Sequence, residues 1–177
     1  MIVLGVDPGT HVTGYGVVVG GDDAPASLLE CGVIRTSARR PLAERLLEIF
    51  EGVCEVIERT RPDVISVEGV FYGRNVRTTV TLGHARGAIL VAAARSGIPV
   101  AEYPPAEVKN TVVGSGVARK EQVAFMVQQH LSLVEPPQPL DTSDGVAVAL
   151  CHILRSRSLD RPEGTGRRGG VGRKRVD

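Results

Sequence analysis

Residues 2–19, IVLGVDPGTHVTGYGVVV, decide how this chain folds. The apolar run 2–6 ends at a carboxylate, Asp7, with the turn signal Pro8-Gly9 directly behind it. That pattern predicts a buried strand carrying an acid at its C-terminal end. Residues 13–19 (TGYGVVV) predict a second strand, closed by the turn residues Gly20-Gly21-Asp22-Asp23, and residues 27–36 (SLLECGVIRT) a third. Three strands on short connections predict an antiparallel meander.

Outward from this meander the pattern changes period. Residues 41–59 predict a helix, with Pro41 near its first turn and Leu42, Leu46, Leu47, Phe50, Val53, Cys54 and Ile57 on its apolar face. Its other face carries Glu48, Glu51, Glu55 and Glu58, an acidic stripe that suits solvent and repels DNA. Residues 63–67 predict a fourth strand, running into Glu68. After the loop GVFYGRN comes a helix over about 76–96, rich in small residues, and then a fifth strand over 98–102. Shorter helices are expected over 105–112 and 119–131, interrupted by Gly114-Ser115-Gly116, and a last helix from Asp141 to about Arg157. The order βββαβαβ followed by helices is an α/β fold: a five-stranded mixed sheet flanked by helices.

At 177 residues and 18.8 kDa the chain suits one domain with a sizeable core, and is too short for two lobes closing over a substrate. A composition 42% hydrophobic and 23% charged is that of a globular protein. No apolar run approaches the ~20 residues of a membrane span. The N-terminus lacks a basic segment and carries Asp7 early, so a signal peptide is not expected. Cys31, Cys54 and Cys151 are odd in number and lack CxxC spacing, which suits a reducing cytoplasm and neither a disulfide framework nor a zinc site.

The net charge of +1 hides an asymmetry. Residues 155–177 hold eight Lys/Arg against three acids, whereas the preceding 154 residues hold 13 basic and 17 acidic side chains. The body, residues 1–157, is expected to be one folded domain. Residues 158–177 form an Arg/Gly-rich basic tail without apolar periodicity, expected to be disordered. A basic tail hints at nucleic acid, and equally suits a solvated terminus.

The placement of four acids is the most informative feature. Asp7 and Glu68 each end an apolar strand, and a carboxylate there loses solvation unless a cation or hydrogen bonds compensate. Asp141 and Asp144 lie three apart at the start of the last helix and share one face. If these elements pack side by side, four hard oxygen ligands converge, a donor set for Mg²⁺ or Mn²⁺ rather than zinc. Two such ions can stabilise the attacking and leaving oxygens of a phosphodiester. Each acid also has a purely structural use: Asp7 in a turn, Glu68 as a lone strand-end charge, Asp141-Thr-Ser-Asp144 as a helix cap. No single acid separates the two.

As a set, LGVDPGTxxTGYGVV around Asp7, VEGVF around Glu68, TVVGSGVARKEQV, and DTSDGVAVALCH holding Asp141 and Asp144 resemble the RuvC-type Holliday-junction resolvases, the crossover junction endodeoxyribonucleases. The likeness runs in order from residue 2 to about 154. It implies a ribonuclease H-like fold, a homodimer, and Mg²⁺-dependent cleavage of four-way DNA junctions in recombination and repair, leaving 5′-phosphate and 3′-hydroxyl ends. It also implies that Asp7, Glu68, Asp141 and Asp144 are the catalytic, metal-binding set. The third position is His in some members, and His152 on the last helix either acts near the site or sits in a core or interface.

Carboxylates repel phosphate unless cations surround them. Residues 66–121 hold Arg74, Arg77, Arg86, Arg95, Lys109, Arg119 and Lys120 against four acids. The resemblance implies DNA contacts at Phe71, Arg74, Arg77, Lys109 and Lys120, with Phe71 stacking on a base at the branch point. It further implies a partnership with a RuvA–RuvB branch-migration complex. A two-fold junction calls for two sites in matching orientation, and the helix over 76–96, with Gly83, Ala85, Gly87 and Ala88, is the expected interface. Three rivals start from the same residues: an actin-like ATP-binding fragment, a ribonuclease H-like enzyme acting on structured RNA, and a non-catalytic DNA scaffold.

Overall fold

The computed structural model describes residues 1–21, 25–69 and 76–159. Five strands, β1 (Ile2–Asp7), β2 (Val12–Val19), β3 (Ser27–Arg35), β4 (Val64–Glu68) and β5 (Val100–Tyr103), form one sheet in the order β3-β2-β1-β4-β5. β1–β2 and β2–β3 pair antiparallel, and β1–β4 and β4–β5 pair parallel. The sheet is therefore mixed, as expected. Helices α1 (Leu42–Thr60) and α2 (Val76–Ser96) supply the two crossovers, and α3 (Pro105–Val113), α4 (Lys120–His130) and α5 (Leu140–Leu159) follow β5.

Strand alternation assigns each face. Leu4, Val6, Val17, Ile65 and Val67 pack with Ile49, Val53, Ile57, Ile89 and Ala93 of α1 and α2. The other face packs Val3 and Val18 against α3, α4 and α5, through Val108, Val123, Val127, Val146 and Leu150. The residues between Leu4, Val6, Ile65 and Val67 point the opposite way, so the period of two that buries these side chains also aims Asp7 and Glu68 at the α5 side.

Close approach completes the arrangement. A Cβ on Gly5 would stand 2.2 Å from the Gly145 carbonyl oxygen, and one on Gly14 would stand 2.0 Å from the Asp141 carbonyl oxygen. Only glycine lets α5 lie directly on β1 and β2 at these two points. The buried Ser66 hydroxyl donates to the Val148 carbonyl at 3.0 Å and ties β4 to the same helix.

The boundaries differ from the sequence reading in physically instructive ways. β5 starts at Val100 rather than 98, because Ile98 is drawn into the α1–α2 core. On α1 the buried residues are Ile49, Val53, Val56, Ile57 and Thr60, while Leu47, expected inside, is 53% exposed. The acidic stripe meets solvent at Glu51, Glu55 and Glu58, and Glu48 pairs with Arg40. α5 begins at Leu140 and continues to Leu159, so Asp141 lies inside the first turn instead of capping it. The expected boundary at 157 thus falls within a helix. Residues 160–177, with most of the basic tail, lie outside the described residues. No described helix is long and apolar enough to cross a membrane. The three cysteines are free.

On α2 the expected interface residues split between two faces. Ala85 is fully buried, and Ala88 packs against the same core, so these two belong to the helix's own sheet. Gly83 and Gly87 have open space where a side chain would stand. They share the outward stripe with Val76, Val80 and Val91, which are 73%, 54% and 59% exposed.

Candidate active site

Asp7 stands where β1 ends, Glu68 where its parallel neighbour β4 ends, and Asp144 one turn into α5. These three line one small pocket, about 230 Å³, together with Pro105 and Lys109 of α3 and Lys120 and Val123 of α4. The sheet places the first two because β1 and β4 pair in register from Val3–Val64 to Val6–Val67, leaving the next pair of residues adjacent. The Asp7 and Glu68 side chains lie within hydrogen-bonding reach of one another.

Burial sets the electrostatics. It pushes Glu68 far above the ordinary carboxylate range, to about 9, with the neighbouring Asp7 charge adding to the effect. Asp7 is also raised by burial, against the hydrogen bond from Glu68. Asp144 is raised for the same reason, with Lys120 opposing. Three half-buried acids of like charge are thus held in a state that disfavours full ionisation, the condition a cation would relieve.

Lys120 supplies one such cation. Its ammonium lies 2.7 Å from Asp141 Oδ1 and 2.7 Å from Asp144 Oδ2. Burial disfavours its charge, but the two carboxylates outweigh that and hold the ammonium firmly protonated. The sequence placed Lys120 near a helix N-terminus, and the structure confirms that position: Arg119 caps α4 and its backbone N–H donates to Gln122 Oε1 at 2.8 Å. Among the described residues, no three acids, histidines or cysteines stand together as a ready cage for one ion. The donors nevertheless fit a hard divalent cation: all are carboxylate oxygens, three are desolvated, and Lys120 already bridges two of them as a positive charge.

Asp141 differs from the other three. It is 42% exposed and faces a second cleft, about 520 Å³, on the side of the β1–β2 connection. Arg77 and Thr81 of α2 line that cleft with Gly9, Thr10 and His11. Of the expected DNA-contact residues, Lys109 and Lys120 therefore reach the acidic pocket and Arg77 the adjoining cleft, while Phe71 and Arg74 lie outside the described residues.

Other cations of the 66–121 segment are engaged elsewhere. Arg86 pairs with Glu102, and the Arg95 guanidinium lies 5.5 Å from the Phe50 ring centre. His152 is not at the pocket either. Its Nδ1 lies 2.8 Å from the Tyr103 hydroxyl and burial lowers its basicity, which is the core role weighed for it from the sequence. Pro105 and His11 carried no signal in the sequence, and Val123 only closed a block of the resemblance: none belongs to a charge run or a metal-ligand spacing, and only the packing of α3, α4 and the β1–β2 turn brings them to the site.

A mixed five-stranded sheet with helices on both faces, acids at the ends of two central parallel strands and a third acid on the covering helix define a ribonuclease H-like nuclease. The sequence matches the family described as crossover junction endodeoxyribonuclease RuvC over residues 3–152, and the chain belongs to that family. It is 50% identical over 161 residues to the crossover junction endodeoxyribonuclease RuvC of Parafrankia sp. (strain EAN1pec), covering 91% of this chain and 90% of that protein. The solved structure of Thermus thermophilus RuvC superposes with a TM-score of 0.80 at 41% identity, covering 89% of this chain and 96% of that one. The same protein in complex with Holliday junction substrate superposes with a TM-score of 0.83 and equal coverage. Family membership leaves the ATP-binding, RNA-directed and non-catalytic readings without support.

Proposed function

We propose that this chain resolves four-way DNA junctions by paired symmetric nicks, with Asp7, Glu68, Asp141 and Asp144 as its catalytic set. The observation that carries this is the convergence of Asp7, Glu68 and Asp144 on one pocket with Lys109 and Lys120, in a chain of the RuvC family. The four carboxylates would hold Mg²⁺, with Mn²⁺ as a substitute and two ions per site. Such ions supply the charge stabilisation for an in-line displacement at phosphorus. Water forms the new bond to phosphorus as the bond to the 3′ oxygen breaks, leaving 5′-phosphate and 3′-hydroxyl ends.

The protein's own residues do the rest. Asp7 and Glu68, set on adjacent strands of a rigid sheet, fix where the scissile phosphate sits. Lys109 and Lys120 offset phosphate charge at the pocket mouth, and Lys120, paired with Asp141 and Asp144, balances the charge of the two α5 acids. Phe71 and Arg74 follow Glu68 closely in sequence, and in the proposed complex the aromatic ring stacks on an unpaired base and the guanidinium holds the backbone.

A second copy provides the second cut. The outward stripe Val76, Val80, Gly83, Gly87 and Val91 on α2 is apolar, narrow and free of bulk at its centre, as a C2 helix–helix contact requires. Work in the cytoplasm suits the three free thiols, and docking with a RuvA–RuvB complex is part of the same proposal. The test is cleavage of a synthetic four-way junction beside a linear duplex and a structured RNA of the same sequence. Paired nicks in opposing arms of the junction alone, with ligatable 5′-phosphate ends, are expected. Equal cleavage of the RNA would overturn the assignment.

A further inference from the structure

The cleft beyond Asp141 is lined by His11 and Arg77, neither of which belongs to the acidic pocket. Its floor is the β1–β2 connection, and that connection is pinned on every side. The Thr13 hydroxyl donates to the Gly9 carbonyl at 2.7 Å, the Thr36 hydroxyl to the Thr10 carbonyl at 2.6 Å, and the Thr36 backbone N–H to the His11 carbonyl at 3.1 Å. His11 thus presents an exposed side chain from a fixed backbone, a position where a ligand contact costs little ordering entropy.

Arg45 of α1 reaches the same connection. Its Nη1 donates to the Thr10 carbonyl at 3.3 Å and lies 3.3 Å from His11 Nδ1, and its Nε is buried without a hydrogen-bond partner. No carboxylate among the described residues stands within ion-pair distance of it, although the other half-buried arginine near the sheet, Arg86, pairs with Glu102. A partly desolvated guanidinium with no counter-charge, set beside a rigid loop and an exposed imidazole, is complementary to an anion. Arg77 faces the cleft from α2, and Asp141, which lines the cleft, is tied to the acidic pocket through the Lys120 ammonium at 2.7 Å.

Building on the junction-cleaving assignment above, we propose that Arg45 and His11 form a second phosphate-binding element, which takes a backbone phosphate of the cut strand adjacent to the scissile one. Lys109 and Lys120 bear on the strand from one side of Asp141, and Arg45, His11 and Arg77 bear on it from the other. The element positions the strand and takes no part in the displacement itself.

The test is equilibrium binding of the full chain to an immobile four-way junction in EDTA, where no cleavage occurs, across a salt series. Losing one phosphate contact makes the slope of log affinity against log salt shallower by about 0.9. Arg45→Met should show that change, Arg45→Lys should restore the parent slope, and His11→Ala should weaken binding with an unchanged thermal melt. A parent slope in Arg45→Met overturns the proposal. If Arg45→Met does not fold, His11→Ala decides, and unchanged affinity there overturns it equally. A parent protein that fails to bind the junction overturns the junction-cleaving assignment instead, and this element with it.

Discussion

Glu68 shows how much one residue's setting determines. It is an ordinary acid in sequence, pushed up to about 9 by burial and by Asp7 beside it. The unfolded chain ionises it near 4.5, so its folded form is favoured by protonation. Its contribution to stability is full below about pH 4.5 and is lost as the pH rises toward 9. Without divalent ions the protein should therefore melt at falling temperatures as the pH is raised from 6 to 9. Added Mg²⁺ should raise the melting temperature more at pH 8.5 than at pH 6, because ligation needs the deprotonated acids. Scanning calorimetry across that range checks both, and an apo melting temperature that climbs with pH would contradict the assignment.

The amide replacements follow from the same geometry. Asp7→Asn, Glu68→Gln and Asp144→Asn should each lower junction cleavage by about 10³-fold or more, since the lost charge stabilisation is worth several kcal/mol and each ~1.4 kcal/mol is tenfold. Junction binding should persist, because removing a carboxylate from a phosphate site relieves repulsion. Gel shifts run beside the cleavage assay would expose a parallel loss of binding.

At the scale of elements, α5 is the piece on which the site depends. It lies on β1 and β2 only because Gly5 and Gly14 offer no Cβ. Gly14→Ala should displace the α5 N-terminus and reduce cleavage by at least about tenfold through misplaced Asp141, since sub-ångström placement governs such sites. Circular dichroism should still report a folded chain, and undiminished cleavage would show that this contact does not position the acid. The proposed stacking role of Phe71 is tested by Phe71→Ala, which should slow junction cleavage while leaving the fold intact.

Element boundaries also show what the sequence could reveal. The meander, the two parallel strands and every helix were legible because each has a clean period or a Pro/Gly punctuation. Asp7 and Glu68 were legible as strand-end acids. The role of Lys120 as a bridge between Asp141 and Asp144, and the division of labour between those two acids, depended on how α4 packs against α5. The cleft around His11 was hidden for the same reason: Arg45 sits on a helix whose repeats advertise only a core face and an acidic face.

For the whole molecule, one chain supplies one site and a junction needs two. The stripe on α2 is the surface assigned to a second copy. Val80→Glu, at a position 54% exposed and away from the core, should convert the proposed dimer to a monomer without lowering its melting temperature by more than a few degrees. It should also turn paired nicks into single, uncoupled ones. Sedimentation together with a cruciform plasmid assay reads both, and a monomer that still resolves junctions by coupled cuts would contradict the symmetric scheme. The charge asymmetry that the sequence displays belongs to this scale too, since most of its positive end falls in residues 160–177, outside the described structure.

The central claim is that Asp7, Glu68, Asp141 and Asp144 hold the catalytic ions. Anomalous diffraction at the manganese edge, from crystals of the full chain soaked in Mn²⁺, tests it most directly. Peaks ligated by Asp7, Glu68 and the α5 acids, with the Lys120 ammonium moved away from Asp144, are the expected result. Manganese bound elsewhere, with Lys120 still bridging Asp141 and Asp144, would contradict it.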